Sequence, residues 1–89
     1  MAYNSQNLSV LAYANGFTLW HYKTTDAAVD VDNTGYFNSA VLMLRVGDFI
    51  LANCSTGGTP ENGLFVVRSN TGSAVDVANM NTFGTANSD

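Results

Sequence analysis

The segment Phe17-Thr18-Leu19-Trp20-His21-Tyr22-Lys23 constrains this chain more than any other. Its aromatic and β-branched residues predict a strand. The Asn15-Gly16 pair before it is a strong hairpin signal, because both residues tolerate positive φ. Alternation along a strand puts Phe17, Leu19 and His21 on one face and Thr18, Trp20 and Tyr22 on the other. Both faces therefore carry large apolar groups. Such a strand is either sandwiched inside its domain or laid against a partner.

Size sharpens that choice. A domain of 89 residues buries only about 60–65% of the surface its unfolded chain exposes. Small domains compensate with disulfides, a metal or oligomerisation. Cys54 is the only cysteine and His21 the only histidine, so neither an intrachain disulfide nor the usual zinc ligand sets can form. Oligomerisation is the remaining route. The sequence reads as one domain over residues 1–89, with residues 79–89 a polar, Gly/Asn-rich tail that stays loose unless docked on a neighbour.

Charge excludes two partner classes. Lys23, Arg45 and Arg68 are the only strongly basic residues, and the net charge is −4. Phosphate binding needs clustered Lys and Arg, so nucleic acid is not an expected partner. A basic membrane-surface helix is excluded likewise. The apolar run at Ala40–Leu44 falls far short of the ~20 residues a membrane span needs. Charged residues are 11% of the chain, against about 25% in an ordinary soluble domain. Low charge with abundant Asn, Thr, Ser and Gly is a composition of extracellular and virion proteins. The first residues show no basic region followed by an apolar one, hence no visible signal peptide, which fits a protein that leaves its cell inside a larger particle.

Along the chain, Leu8–Ala14 is apolar and reads as a strand or a short helix. Thr24–Asn33 reads as a turn with a weak strand or irregular segment. Asn38 or Ser39 is placed to cap a short helix running to Met43 or Leu44. Val46-Gly47-Asp48 turns into a buried strand at Phe49–Cys54. Ser55–Asn62 is an exposed loop, and Gly63–Ser69 is a strand joined through Asn70-Thr71-Gly72 to Ser73–Ala78 as a hairpin. The fold class is mainly β: a small barrel or sandwich of five to six short strands with one short helix.

Few residues suggest chemistry. Asp30, Asp32 and Thr34 are spaced like the opening ligands of a calcium loop, but the twelfth position, where a bidentate Glu belongs, is Val41. An acidic, solvated turn is the better reading. His21 lacks a nucleophile-elbow pattern anywhere in the chain, and a packed or interfacial ring suits its aromatic strand. Cys54 ends an apolar run with no basic neighbour, as a buried small hydrophobe does. Trp20, Tyr22, Tyr36 and Phe37 suit a core, an interface or a sugar platform, and in so small a domain core plus interface is favoured. No cofactor is implied. A small hydrolase or metal-dependent enzyme built on His21 or the Asp30/Asp32 pair is the competing class.

Leu8–Ala14, Gly16–Lys23, Gly35-Tyr36-Phe37-Asn38, Val46-Gly47-Asp48-Phe49-Ile50 and the Val66–Val77 hairpin together resemble the small structural proteins of tailed bacteriophages. The likeness covers most of residues 5–78 and is to capsid-decoration (cement) or fibre-associated modules. It implies a non-enzymatic virion protein, made in the host cytoplasm and bound on the capsid surface as a homotrimer against the major capsid protein. The alternative it leaves is a receptor- or carbohydrate-binding fibre module. The expected contact residues are Tyr3, Leu8, Leu11, Trp20, Tyr22, Tyr36 and Phe37, together with the polar tail.

Overall fold

The computed structural model describes residues 3–84. Six strands make one mixed sheet: β1 (Leu8–Ala14), β2 (Phe17–Lys23), β3 (Phe49–Cys54), β4 (Glu61–Asn70), β5 (Val75–Val77) and β6 (Asn81–Thr82). The strand order is β1-β2-β3-β4-β5, and β6 pairs with β4. The expected mainly β chain with five to six short strands and one short helix is what forms. The layer that a sandwich would build from a second sheet is built here from a crossover.

Asn15 (φ 50°) and Gly16 (φ 81°) form the turn between antiparallel β1 and β2. Two positive φ values give the turn twist that matches the flanking strands. Leu8 pairs with Tyr22 and Ala14 with Phe17, and a bulge at Leu11 interrupts the ladder between them. β2 and β3 are parallel, with Trp20 opposite Ile50. Parallel neighbours cannot be joined by a tight turn, so the chain must cross one face of the sheet.

That crossover, residues 24–48, packs Ala28, Val31, Phe37, Ala40 and Leu44 onto Trp20, Tyr22, Ile50, Phe65, Val67, Val75 and Val77. Each large side chain fully buried here contributes about 1.5–3 kcal/mol. Its only α-helix is one turn, α1 (Ala28–Val31). This corrects the expected irregular segment. Ala28 and Val31, one turn apart, face the core while Val29 faces water, and the Glu61 carboxylate accepts from the Ala28 N–H at 2.8 Å.

The helix expected from Asn38 to Leu44 is instead a 3₁₀ turn at Asn38–Ala40 followed by further turns. Asn38 does not cap it, because its Oδ1 accepts from the Val75 N–H at 3.0 Å and anchors β5. Asn70 ties down the same stretch, its Nδ2 donating to the carbonyls of Val41 (2.9 Å) and Leu44 (2.6 Å).

The polar C-terminal segment, expected to be loose, is tied to the domain as far as β6. Asn81 pairs with Leu64 and Thr82 with Gly63. Gly63 is obligatory there, since a Cβ would collide with the Asn81 carbonyl and the Met80 side chain. The remainder of the expected tail, residues 85–89, lies outside the described residues.

Candidate functional site

The register sorts the sequence-predicted contact residues by face. Leu8, Trp20, Tyr22 and Phe37 belong to the buried core, and Tyr3 and Tyr36 pack half-buried against it. Only Leu11 is openly exposed. Tyr3 stacks on Tyr22 with centroids 5.8 Å apart, and Phe37 meets Tyr22 and Tyr36 edge-on at 5.4 and 5.0 Å. Edge-to-face packing of this kind adds to area burial. These aromatics hold the crossover to the sheet and do not present a surface.

Polar groups thread the cluster. The Tyr36 hydroxyl donates to the buried Asp26 carboxylate at 2.7 Å. It sits 2.9 Å from the Tyr22 hydroxyl, which accepts from the Asn4 N–H at 3.1 Å. Burial, with the hydrogen bonds to Tyr22 and Asp26, pushes the Tyr36 phenol well above the ordinary range. Burial raises Tyr3 as well, aided by Tyr22.

A second buried carboxylate, Asp48, locks β2 to the start of β3. Its Oδ1 accepts from the Thr18 N–H at 3.0 Å, and its Oδ2 accepts from Trp20 Nε1–H and the Arg45 N–H, both at 3.1 Å. The Trp20 indole is thereby enclosed. A sugar platform built on it has no accessible ring.

The other sheet face is open. Across β2, β3 and β4 the register aligns Leu19 with Phe49 and Val66, His21 with Leu51 and Leu64, and Lys23 with Asn53 and Asn62. Phe17 and Phe49, 36% and 39% exposed, tilt together with centroids 5.6 Å apart. A depression of about 470 Å³ lies at one end, bounded by Phe49, Leu64, Val66, Arg68 and the chain at Ala78–Asn81. None of the side chains in these rows is a carboxylate, and Lys23 and Arg68 are the charged basic groups at its margins. The face is apolar where sheets open to water are ordinarily polar.

His21 is part of this face. Its Nε2 lies 2.9 Å from Asn53 Nδ2, and Asn53 Oδ1 accepts from Asn62 Nδ2 at 2.6 Å. Asn53 thus links the His21 ring to Asn62 across β2, β3 and β4. Cys54 points the opposite way, fully buried. Burial, with Glu61, Asp26 and Asp32 nearby, pushes its thiol up to about 11. His21 and Cys54 are thus on opposite faces and do not form a nucleophilic pair.

The acidic groups collect elsewhere. Burial raises the Asp32 carboxyl, with the like charges of Asp76 and Asp30 adding. Among the described residues, no three His, Cys, Asp or Glu side chains gather as a metal-ion site, and no helix is long and apolar enough to cross a membrane.

Sequence reasoning identified Phe17, Leu19 and His21 as one face of β2 but missed Phe49, Leu51, Leu64 and Val66 as its continuation. Their signal was present, since Phe49–Cys54 and Gly63–Ser69 are each apolar at successive positions. No family model, no curated protein and no solved structure matches this chain.

Proposed function

We propose that this chain is a non-enzymatic structural module that works by assembly: a homo-oligomer that lays its open sheet face on a larger protein shell. The observation that carries this reading is the apolar, carboxylate-free face formed by Leu19, Phe49, Val66, Leu51 and Leu64. Phe49 is exposed and Leu19, Leu51, Leu64 and Val66 are partly exposed around it, and a contiguous apolar surface open to water suits an interaction site. Basic groups at its margins suit a partner surface that is apolar with carboxylates at its border. In the setting that the bacteriophage resemblance implies, the partner is the major capsid protein and the role is decoration of the assembled head. The mechanism is linkage: a protein that binds the closed shell and not its separated subunits stabilises the shell.

The test is co-sedimentation with assembled tailed-phage shells and with dissociated shell subunits, alongside mass measurement by light scattering. Saturable binding to shells alone is expected, weakened about tenfold or more when Phe49→Lys places a charge in the contact. A monomer that ignores shells and subunits alike overturns the reading.

A further inference from the structure

Asn-Gly occurs twice in this chain, at Asn15-Gly16 and at Asn62-Gly63. In this dipeptide the glycine amide nitrogen can attack the asparagine side-chain carbonyl, because glycine has no Cβ to hinder the approach. The fold gives the two copies opposite surroundings. Asn15 and Gly16 are exposed at the tip of the β1–β2 hairpin, and a Cβ at Gly16 would meet nothing within 4 Å. Asn62 is the second residue of β4 and pairs with Asn53. Its carbonyl accepts from the Phe83 N–H at 2.8 Å, and its Nδ2 donates to Asn53. Gly63 is buried between Ala52 of β3 and Thr82 of β6.

We infer that Asn15 is a self-modification site, converting through a cyclic imide to aspartate and isoaspartate in the folded protein, while the fold holds Asn62 intact. Backbone geometry carries the distinction. Closing the five-membered ring needs an Asn ψ of about −120°, the value at the first central residue of a type II′ turn. Positive φ at both Asn15 (50°) and Gly16 (81°) makes the present turn type I′. Flipping the single peptide between Asn15 and Gly16 converts I′ to II′ while the strands on either side stay paired. Asn15 keeps its positive φ, and Gly16 takes a negative one, which glycine adopts as readily. A residue in an extended strand has ψ of about +135°. Asn62 therefore reaches the ring geometry only if β4 parts from its neighbours.

The chemistry needs water alone. The Gly16 nitrogen loses its proton and bonds to Asn15 Cγ, the Cγ–Nδ2 bond breaks, and ammonia leaves. Water then opens the imide. Cleavage at Cγ gives aspartate, and cleavage at the main-chain carbonyl gives isoaspartate. Every Asp, Glu, Lys and Arg of this chain lies at or after Lys23, so either product places the first carboxylate on an uncharged hairpin. Isoaspartate also adds a main-chain carbon to a two-residue turn and spoils its match to the strand twist. Phe17 follows that turn and tilts against Phe49, so the change is felt at one end of the open sheet face. The reaction is independent of what that face binds.

The test is incubation of the native chain in mildly alkaline buffer, then trypsin digestion and mass spectrometry. Cleavage after Lys23, Arg45 and Arg68 puts Asn15 in residues 1–23 and Asn62 in residues 46–68. Fragmentation locates the amide-to-acid change in each peptide, and isoaspartyl methyltransferase labelling detects the isoaspartate. Native Asn15 should convert about a hundredfold or more faster than native Asn62, which reacts only when its strand opens. In urea that protection is gone, and the two rates should agree within about threefold. A native Asn15 as slow as Asn62 overturns the site, as does conversion at Asn4 or Asn7 in its place. A native Asn62 as fast as Asn15 overturns the protection by β4.

Discussion

Replacing Asp48 with Asn should cost this fold about 3 kcal/mol, out of the roughly 5–13 kcal/mol expected for a domain of this length. The carboxylate accepts three N–H bonds, from the Thr18 backbone, the Trp20 indole and the Arg45 backbone, and no cation is among them. Asn has a single acceptor oxygen. Placed at the Oδ2 position, it keeps Trp20 and Arg45 and turns an NH₂ group against the Thr18 N–H. One orphaned donor costs about 1–3 kcal/mol, and two bonds reduced from charge-assisted to neutral cost about 1 kcal/mol each. Relief from burying an unpaired charge returns part of this. The only tryptophan is itself a partner, so urea denaturation followed by Trp20 fluorescence and by far-ultraviolet circular dichroism reads the site and the sheet separately. The melting temperature should fall by about 12–24 °C, at about 4–8 °C per kcal/mol. Asp48→Ala, which orphans all three donors, should cost more. Stability of Asp48→Asn within about 0.5 kcal/mol of wild type would refute the claim that this carboxylate joins β2 to β3.

Three other outcomes follow from the same geometry. Cys54 should resist thiol reagents in the native protein and react on unfolding; since its thiol rises from 9.0 to about 11, the folded state holds the proton more tightly, and stability should fall as pH climbs through that window, by on the order of 2–3 kcal/mol. Gly63→Ala should lose about 1–3 kcal/mol and release residues 79–84 to limited proteolysis, because the added methyl takes the space of Asn81 and Met80. Tyr36→Phe removes the donor to buried Asp26 and the partner of the Tyr22 hydroxyl, and should cost about 2–3 kcal/mol in urea denaturation.

Strand positions were legible where the signal was local. Asn15-Gly16 dictated a hairpin through backbone freedom alone, and Phe49–Cys54 formed as a strand with the expected bounds. What failed was anything decided by a distant partner. Asn38 looked like a helix cap, but Val75, far along the chain, takes its side chain. The alternating Ala28-Val29-Asp30-Val31 reads as a weak strand until Glu61 supplies an acceptor at its first N–H. Trp20 and Tyr22 were rightly placed together on one face of β2. Their assignment to a contact surface failed because pattern alone does not say which of two apolar faces the crossover will cover. Asp48 next to Gly47 has the appearance of an ordinary turn residue, and its three donors come from the β2 backbone, the Trp20 ring and the turn itself.

The bare face is a consequence of topology. Parallel pairing of β2 with β3 demands a crossover, and a crossover occupies one side of the sheet. The other described links between strands are short: Asn15-Gly16, the Ser55–Pro60 loop, the turn after Asn70 and the link from β5 to β6. Links of this kind do not roof a sheet. A monomer built this way would ordinarily show alternating polar residues toward water. Here Leu19, Phe49, Val66, Leu51 and Leu64 stand in those positions instead. Thr, Lys or Glu would satisfy the strand propensity or the solvent there, and none of them appears in these five positions. Under the assembly proposed above, it is the partner surface that covers these five side chains.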